Sequence, residues 1–169
     1  MIWQTTNQQP WTEAVVRGIL PLITKSQKPQ ISVGDYIFLH NSQKILWKDL
    51  KGMKWLKDYK INPNKAELGM IVAMATVKEV SKSSDTLTER ERSFWDVDYV
   101  HSEPNGHSER LMYNCAEDWT IRLDNIIKLR RPIKAQGFNT HFIKPPDRTY
   151  QLVLKNNPQI ADILNLQAV

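Results

Sequence analysis

The sequence predicts an α+β fold: a small, curled, mostly antiparallel β-barrel with helices inserted between its strands. Three observations lead to it. Five or six short stretches carry strand-like apolar patterns. Helical spacings fall between some of them without the regular β–α–β alternation of a doubly wound sheet. The longest apolar stretch, Leu68–Val80 (LGMIVAMATVKEV), holds no proline and is made of small and medium side chains that suit a buried strand.

The elements follow in order. Ile2–Thr6 reads as a first strand. Gln9–Gly18 reads as a helix: Pro10 suits its first position, Trp11, Ala14 and Val15 share one face, and Gly18 stands where a left-handed cap belongs. Pro21–Thr24 is a strand and Lys25–Ser32 the loop out of it. Val33-Gly34-Asp35 is a turn feeding the strand Tyr36–His40. In residues 41–65, Leu46, Leu50, Met53 and Leu56 form a helical stripe amid seven lysines, so this window reads as a Lys-rich helical insertion. Ser81–Asp85 is a polar break. Thr88 and Glu91 have capping-box spacing, which predicts a short helix through Phe94-Trp95. Residues 101–118 read as a loop or ragged strand. Trp119–Arg131 alternates, with Trp119, Ile121, Leu123, Ile127 and Leu129 on one face and Arg122, Asp124, Lys128 and Arg130 on the other. Tyr150–Lys155 reads as a last strand, and Asn157-Pro158 opens a helix to about Leu166.

Length and composition bound the function. At 169 residues, one domain spanning 1–169 is expected. The net charge of +5 permits a polyanionic partner without requiring one. The single cysteine, Cys115, cannot form an internal disulfide, which fits a reducing compartment. No apolar run of about 18 residues occurs, and MIWQTTNQQP lacks the regions of a signal peptide. A cytoplasmic protein without a membrane partner is the expectation.

Several chemistries find no sequence support. The four histidines and one cysteine show no metal-ligand spacing, so no metal is expected. His101 and His107 fall in a polar loop and read as solvated, and Cys115 reads as a small filler. With only six glycines there is no phosphate-cradling loop, and no cofactor is expected.

Charge and aromatics remain. The lysines of 41–65 repeat every three residues from Lys48 to Lys60, which drifts around a helix by about 60° per step and makes a solvated surface rather than one stripe. KLRRPIK (128–134) sets Lys128, Arg130 and Arg131 on a strand and in the loop beyond, where phosphate contact competes with plain surface charge. Among six tryptophans, Trp11 opens a helix beside a strand that ends in cations, and Trp95 lies in SFWDVD between helix and loop. An aromatic wall beside cations and amides is what capture of an unstacked base requires; plugging the ends of a barrel is the competing role.

QPWTEAVVRG (9–18) followed by a strand, then GDYIFLHNSQK (34–44), resembles the ASCH domain of the PUA-like superfamily. That family opens with a Q-P-W helix and a G-x-K-x-x-E-x-R motif, then a G-D turn, a strand and an H-x-S segment. Gln9, Pro10, Trp11, Gly18, Gly34, Asp35, His40 and Ser42 match it. GMIVAMATVKEV looks like the next barrel strand, and Trp119–Leu129 with PIKAQGF looks like the closing portion. EVE domains share the G-D turn, the apolar strand and a later G-x-V-x-x-A strand, and stay open as the alternative.

The resemblance implies a nucleic-acid-binding module holding RNA or a modified base in a cleft between the first helix and the barrel. Gln9, Trp11, Lys25, His40, Asn41 and Ser42 would line that cleft, with Trp95 as a second aromatic. Lys28, Lys128, Arg130 and Arg131 would hold phosphates. Some ASCH-like proteins are amidohydrolases acting on acetylated cytidine, and they need the motif lysine with nearby Thr and Glu groups. Here Leu20 stands at the Lys position, Ile23 at the Glu position and Lys25 at the Arg position. Leu20 supplies no amine and Ile23 no acid, so a hydrolase is the less favoured alternative. A protein-interaction module using the lysines of 44–65 is a third.

Overall fold

The computed structural model describes residues 1–45, 54–62, 65–94, 99–102, 108–111, 118–138 and 142–165. Its main sheet has five strands in the order β1-β3-β4-β7-β2. These are β1 (Ile2–Gln9), β2 (Leu22–Lys25), β3 (Tyr36–Ile45), β4 (Met70–Lys82) and β7 (Trp119–Lys134). β1 runs parallel to β3, and the other three pairings are antiparallel. β5 (Tyr99–Ser102) and β6 (Ser108–Leu111) pair in a separate hairpin. The helices are α1 (Trp11–Val16), α2 (Lys54–Asp58), α3 (Ser83–Thr86), α4 (Glu89–Arg92), α5 (Asp147–Asn156) and α6 (Pro158–Asn165). The result is a curled, mixed half-barrel in an α+β fold.

The curl has a local cause. The β4–β7 ladder shifts register between Ile71 and Ala73, Met74 and Thr76, and Val77 and Glu79. Each extra residue bends its strand and adds twist. Asn125, at φ 47°, lies at the second of these places on β7.

Both faces of the sheet are buried. Val15 of α1, Ile37, Leu39, Ala73, Ala75, Val77, Ile121 and Leu123 form the cluster on one face. Phe38, Ile71, Met74, Leu129, Ile133, Val153 and Ile160 form that on the other, covered by α5 and α6. Strand alternation explains why Phe38 and its neighbours Ile37 and Leu39 part company. On β7 simple alternation fails. Ile121 and Leu123 belong to the first cluster, whereas Ile127 and Leu129 belong to the second. The irregularity at Asn125 switches the strand's facing, so the single apolar face read for Trp119–Leu129 is corrected to two half-faces.

Small local signals hold up. α1 ends in a Schellman motif: Ile19 N–H bonds the Ala14 carbonyl and Gly18 N–H the Val15 carbonyl, both at 2.9 Å, with Gly18 at φ 69°. Thr88 and Glu91 form the capping box of α4. Gly34, at φ 90°, sits in a turn closed by Asp35 N–H on the Ser32 carbonyl at 3.0 Å.

Other expectations are corrected. Tyr150–Lys155 is not a strand but part of α5, because Tyr150, Val153 and Leu154 fall at helical spacing and pack on the sheet. The window 41–65 is not a continuous helix: β3 runs on to Ile45 and α2 holds only Lys54–Asp58, while Leu46, Leu50 and Met53 lie outside the described residues. The first helix is shorter than read, and Pro10 is its N-cap rather than its first residue. The stretch 101–118, read as a loop or ragged strand, does contribute strand: its residues 101–102 belong to β5 and 108–111 form β6.

Asn157, fully buried between α5 and α6, does not cap the second helix with its side chain. Its Oδ1 accepts from Arg131 N–H at 3.0 Å, and its Nδ2 donates to the carbonyls of Arg131 and Val153, each at 3.1 Å. It thereby serves the edge of β7 where β2, paired only with Trp119–Arg122, has already ended.

Candidate functional site: a cavity beside the first helix

A cavity of about 350 Å³ lies between α1, the sheet and residues 60–62 and 65–67. Gln9 at the end of β1, Thr12, Glu13 and Val16 of α1, and Arg17 at its C-cap form one side. Asn41 of β3, Val72 of β4 and Lys128 of β7 come from the sheet, and Lys60, Ile61, Asn62, Lys65, Ala66 and Glu67 form the opposite side. The helix can do this because Ala14 and Val15 are spent on the two apolar clusters that hold it. The lining holds four cations, Arg17, Lys60, Lys65 and Lys128, and two carboxylates, Glu13 and Glu67.

The inner wall is amide-rich. Gln9 and Asn41 are 1% and 2% exposed. Asn41 Nδ2 donates to the Glu67 carbonyl at 2.9 Å, and the Asn41 carbonyl accepts from Gly69 N–H at 3.0 Å, which ties the segment before β4 to β3.

The other residues singled out in the sequence are placed elsewhere. Trp11 packs against the cluster of Ala14, Leu20, Leu22, Trp55 and Phe94, and its Nε1 donates to the Phe94 carbonyl at 3.1 Å. It does not line the cavity. Ser42 is half-buried on β3, also away from the lining. Arg130 and Arg131 are exposed on β7. Lys28 is exposed, with Nζ 5.2 Å from the Trp119 ring centroid, and Lys82 Nζ lies 4.8 Å from the same ring. Trp95 lies outside the described residues. Arg17, Lys60 and Lys65 were not singled out as site residues. Lys60 and Lys65 belong to a lysine series read as a solvated surface, and contact across the fold leaves no trace in spacing.

His40 is fully enclosed and structural in its contacts. Its Nε2 lies 3.1 Å from the Ala135 carbonyl, which only accepts, so Nε2 carries the hydrogen. Nδ1 then accepts from Thr6 Oγ1 at 3.2 Å, and Thr6 Oγ1 in turn accepts from Phe138 N–H at 3.2 Å. Burial lowers the imidazole pKa, against the opposing hydrogen bonds to Ala135 and Gly69, so the neutral ring is favoured. This chain stitches β1 and β3 to the segment after β7.

At the motif positions, Leu20 and Ile23 are buried in apolar clusters. Lys25 is half-buried, with Nζ donating to the Thr6 carbonyl and Asn7 Oδ1, each at 3.1 Å, and standing 5.7 Å from the Phe142 ring centroid. Desolvation by burial lowers its pKa from 10.5 to about 8. The unfolded chain therefore binds this proton more tightly. Below pH 8 both states are protonated and the fold carries a cost of roughly 3 kcal/mol; between pH 8 and 10.5 that cost is relieved as the folded amine deprotonates first. In urea denaturation at pH 7.5 and 10, the wild type should gain roughly 2–3 kcal/mol relative to Lys25→Met over this interval. An unchanged difference would mean that the ammonium remains hydrated.

The curled half-barrel defines a class: the chain has the fold of the ASCH domain. The crystal structure of ASCH from Zymomonas mobilis matches it with a TM-score of 0.53 and 10% identity, over 92% of this chain and 95% of that one. Two single-substitution variants of the same Zymomonas mobilis protein match at TM-scores of 0.53 and 0.52, again at 10% identity and 92% of this chain, covering 96% and 98% of theirs. The likeness is one of fold. No protein-family model matches the sequence, and a search of curated proteins finds no match. Among the described residues, no helix is long and apolar enough to cross a membrane.

Proposed function

We propose that the protein binds single-stranded nucleic acid, RNA in the first place, with one unstacked nucleotide held in the cavity beside α1. The observation that carries this reading is a cavity of about 350 Å³, within the range that encloses a small organic ligand, with four cations in its lining. Phosphates are drawn to such a rim while a base enters the hollow. Lys28, Arg130 and Arg131, exposed outside the cavity, would offer further cations to the phosphates. The fold of the ASCH domain is compatible with this reading, which takes residues 1–169 as one domain working in the cytoplasm.

Titration of a labelled short single-stranded RNA, followed by fluorescence anisotropy, tests it. Binding should saturate. With about four phosphates neutralised on a single strand, affinity should fall by roughly 20- to 50-fold between 50 and 200 mM salt. Lys128→Glu should weaken binding and flatten the salt dependence. Binding that is absent, or indifferent to salt, removes the reading.

A further inference from the structure

We infer that Trp119 forms a second nucleotide subsite: a base of the strand bound at the cavity stacks on its indole ring, and Lys28 and Lys82 take the phosphates beside it. The inference rests on the nucleotide reading above. It adds a second point of contact, and with it a preferred length of strand.

Register builds the patch. Lys25 of β2, Trp119 of β7 and Lys82 of β4 stand directly opposite one another, so their side chains leave the sheet on one face. Trp119 alternates with buried Ile121 and Leu123, which places it on the face that carries α1 and the cavity. The indole is half-buried, at the start of β7. Two ammonium groups gather on it: Lys28 Nζ, from beyond β2, at 5.2 Å and Lys82 Nζ at 4.8 Å from the ring centroid. Lys25 turns its Nζ to Thr6 and Asn7 instead. Among the described residues, no other ring holds two cations.

Two like charges on one ring repel, and an anion beside them relieves the repulsion. An exposed cation–π contact biases an equilibrium only about two- to fivefold, whereas stacking of one base on an aromatic ring contributes about fivefold to more than a hundredfold. A base therefore displaces an ammonium from the ring, and the ammonium moves to the phosphate that arrives with the base. Every base has a face to stack, so the subsite adds affinity without sequence preference. Trp119 and the cavity's Lys128 lie about nine residues apart on β7, at most about 30 Å along the strand. About nine nucleotides cover that span at the ~3.4 Å rise of a stacked strand.

Fluorescence anisotropy with labelled oligouridine of about 3 and about 12 nucleotides tests the subsite. The wild type should bind both saturably. Trp119→Leu keeps apolar bulk at the end of the sheet but has no ring for a base. It should weaken binding of the longer strand about tenfold or more, a fall confined to that strand, and Trp119→Phe should recover most of the loss. Lys28→Ala, at an exposed position, should bring the salt slope of the longer strand down by roughly 0.7, towards that of the shorter one. It keeps the test decisive if Trp119→Leu fails to fold. Unchanged binding of the longer strand in Trp119→Leu, or an unchanged slope in Lys28→Ala, overturns the subsite and leaves the nucleotide reading standing. Equal falls for both lengths in Trp119→Leu overturn it as well, because Trp119 would then act through the fold of the cavity. No saturable binding of either strand to the wild type overturns both.

Discussion

Gly137→Ala should cost about 2–3 kcal/mol of folding stability, although it adds a single methyl group. A Cβ at this position would meet His40 Cε1 at 2.8 Å, His40 Nδ1 at 3.2 Å and Thr6 Oγ1 at 3.4 Å. Overlap with a mobile side chain is relieved cheaply, but His40 is fully buried and engaged at both ring nitrogens. It can move only by giving up the Ala135 carbonyl or Thr6. The expected loss is one of packing and hydrogen bonding together, measured as a lower urea midpoint with an unchanged slope. A double-variant cycle separates causes: in a His40→Ala background the Gly137→Ala cost should largely vanish. A full cost in that background would locate the strain in the backbone instead.

Asn157→Ala should be at least as damaging, at about 3 kcal/mol, or a fall of roughly 6–12 °C in melting temperature. The residue is fully buried, and its amide holds the N–H and the carbonyl of Arg131 as well as the Val153 carbonyl. Truncation leaves the two strand-edge groups of Arg131 without their protein partner. Asn157→Asp should be no milder: it keeps the acceptor for Arg131 N–H but replaces a donor with a buried charge. A fall below about 1 kcal/mol for the alanine variant would mean that water reaches the strand edge and takes over both bonds.

What was legible in the sequence was local chemistry. Gly18, Gly34 and the Thr88/Glu91 pair announce themselves because a left-handed residue or a reciprocal cap requires specific residue types at fixed offsets. Long buried strands such as β4 announce themselves by apolar content. The errors arose where tertiary structure overrides a local pattern. Tyr150-Gln151-Leu152-Val153-Leu154 alternates well enough for a strand, yet Val153 and Ile160 are wanted on the second face of the sheet and a helix delivers them there. Asn125 switches the facing of β7, which no alternation count foresees. The cavity was legible in part. Gln9, Asn41 and Lys128 meet there, because the end of β1 and the middle of β3 flank α1. Trp11 and His40 match the family's motif, but their partners, Phe94 and Ala135, are remote in sequence and turn both side chains toward structural work.

The second apolar face of the sheet has a consequence for synthesis. Phe38, Ile71 and Met74 are covered by Val153 and Ile160, which follow Phe38 by about 120 residues. At ribosomal speeds of 5–20 residues per second, roughly 6–24 s separate the appearance of Phe38 from that of its cover. For that interval the nascent chain carries an apolar surface with nothing of its own to lay over it. The α5–α6 pair therefore sets how long that face stays uncovered, the kind of exposure that makes a nascent chain prone to aggregation.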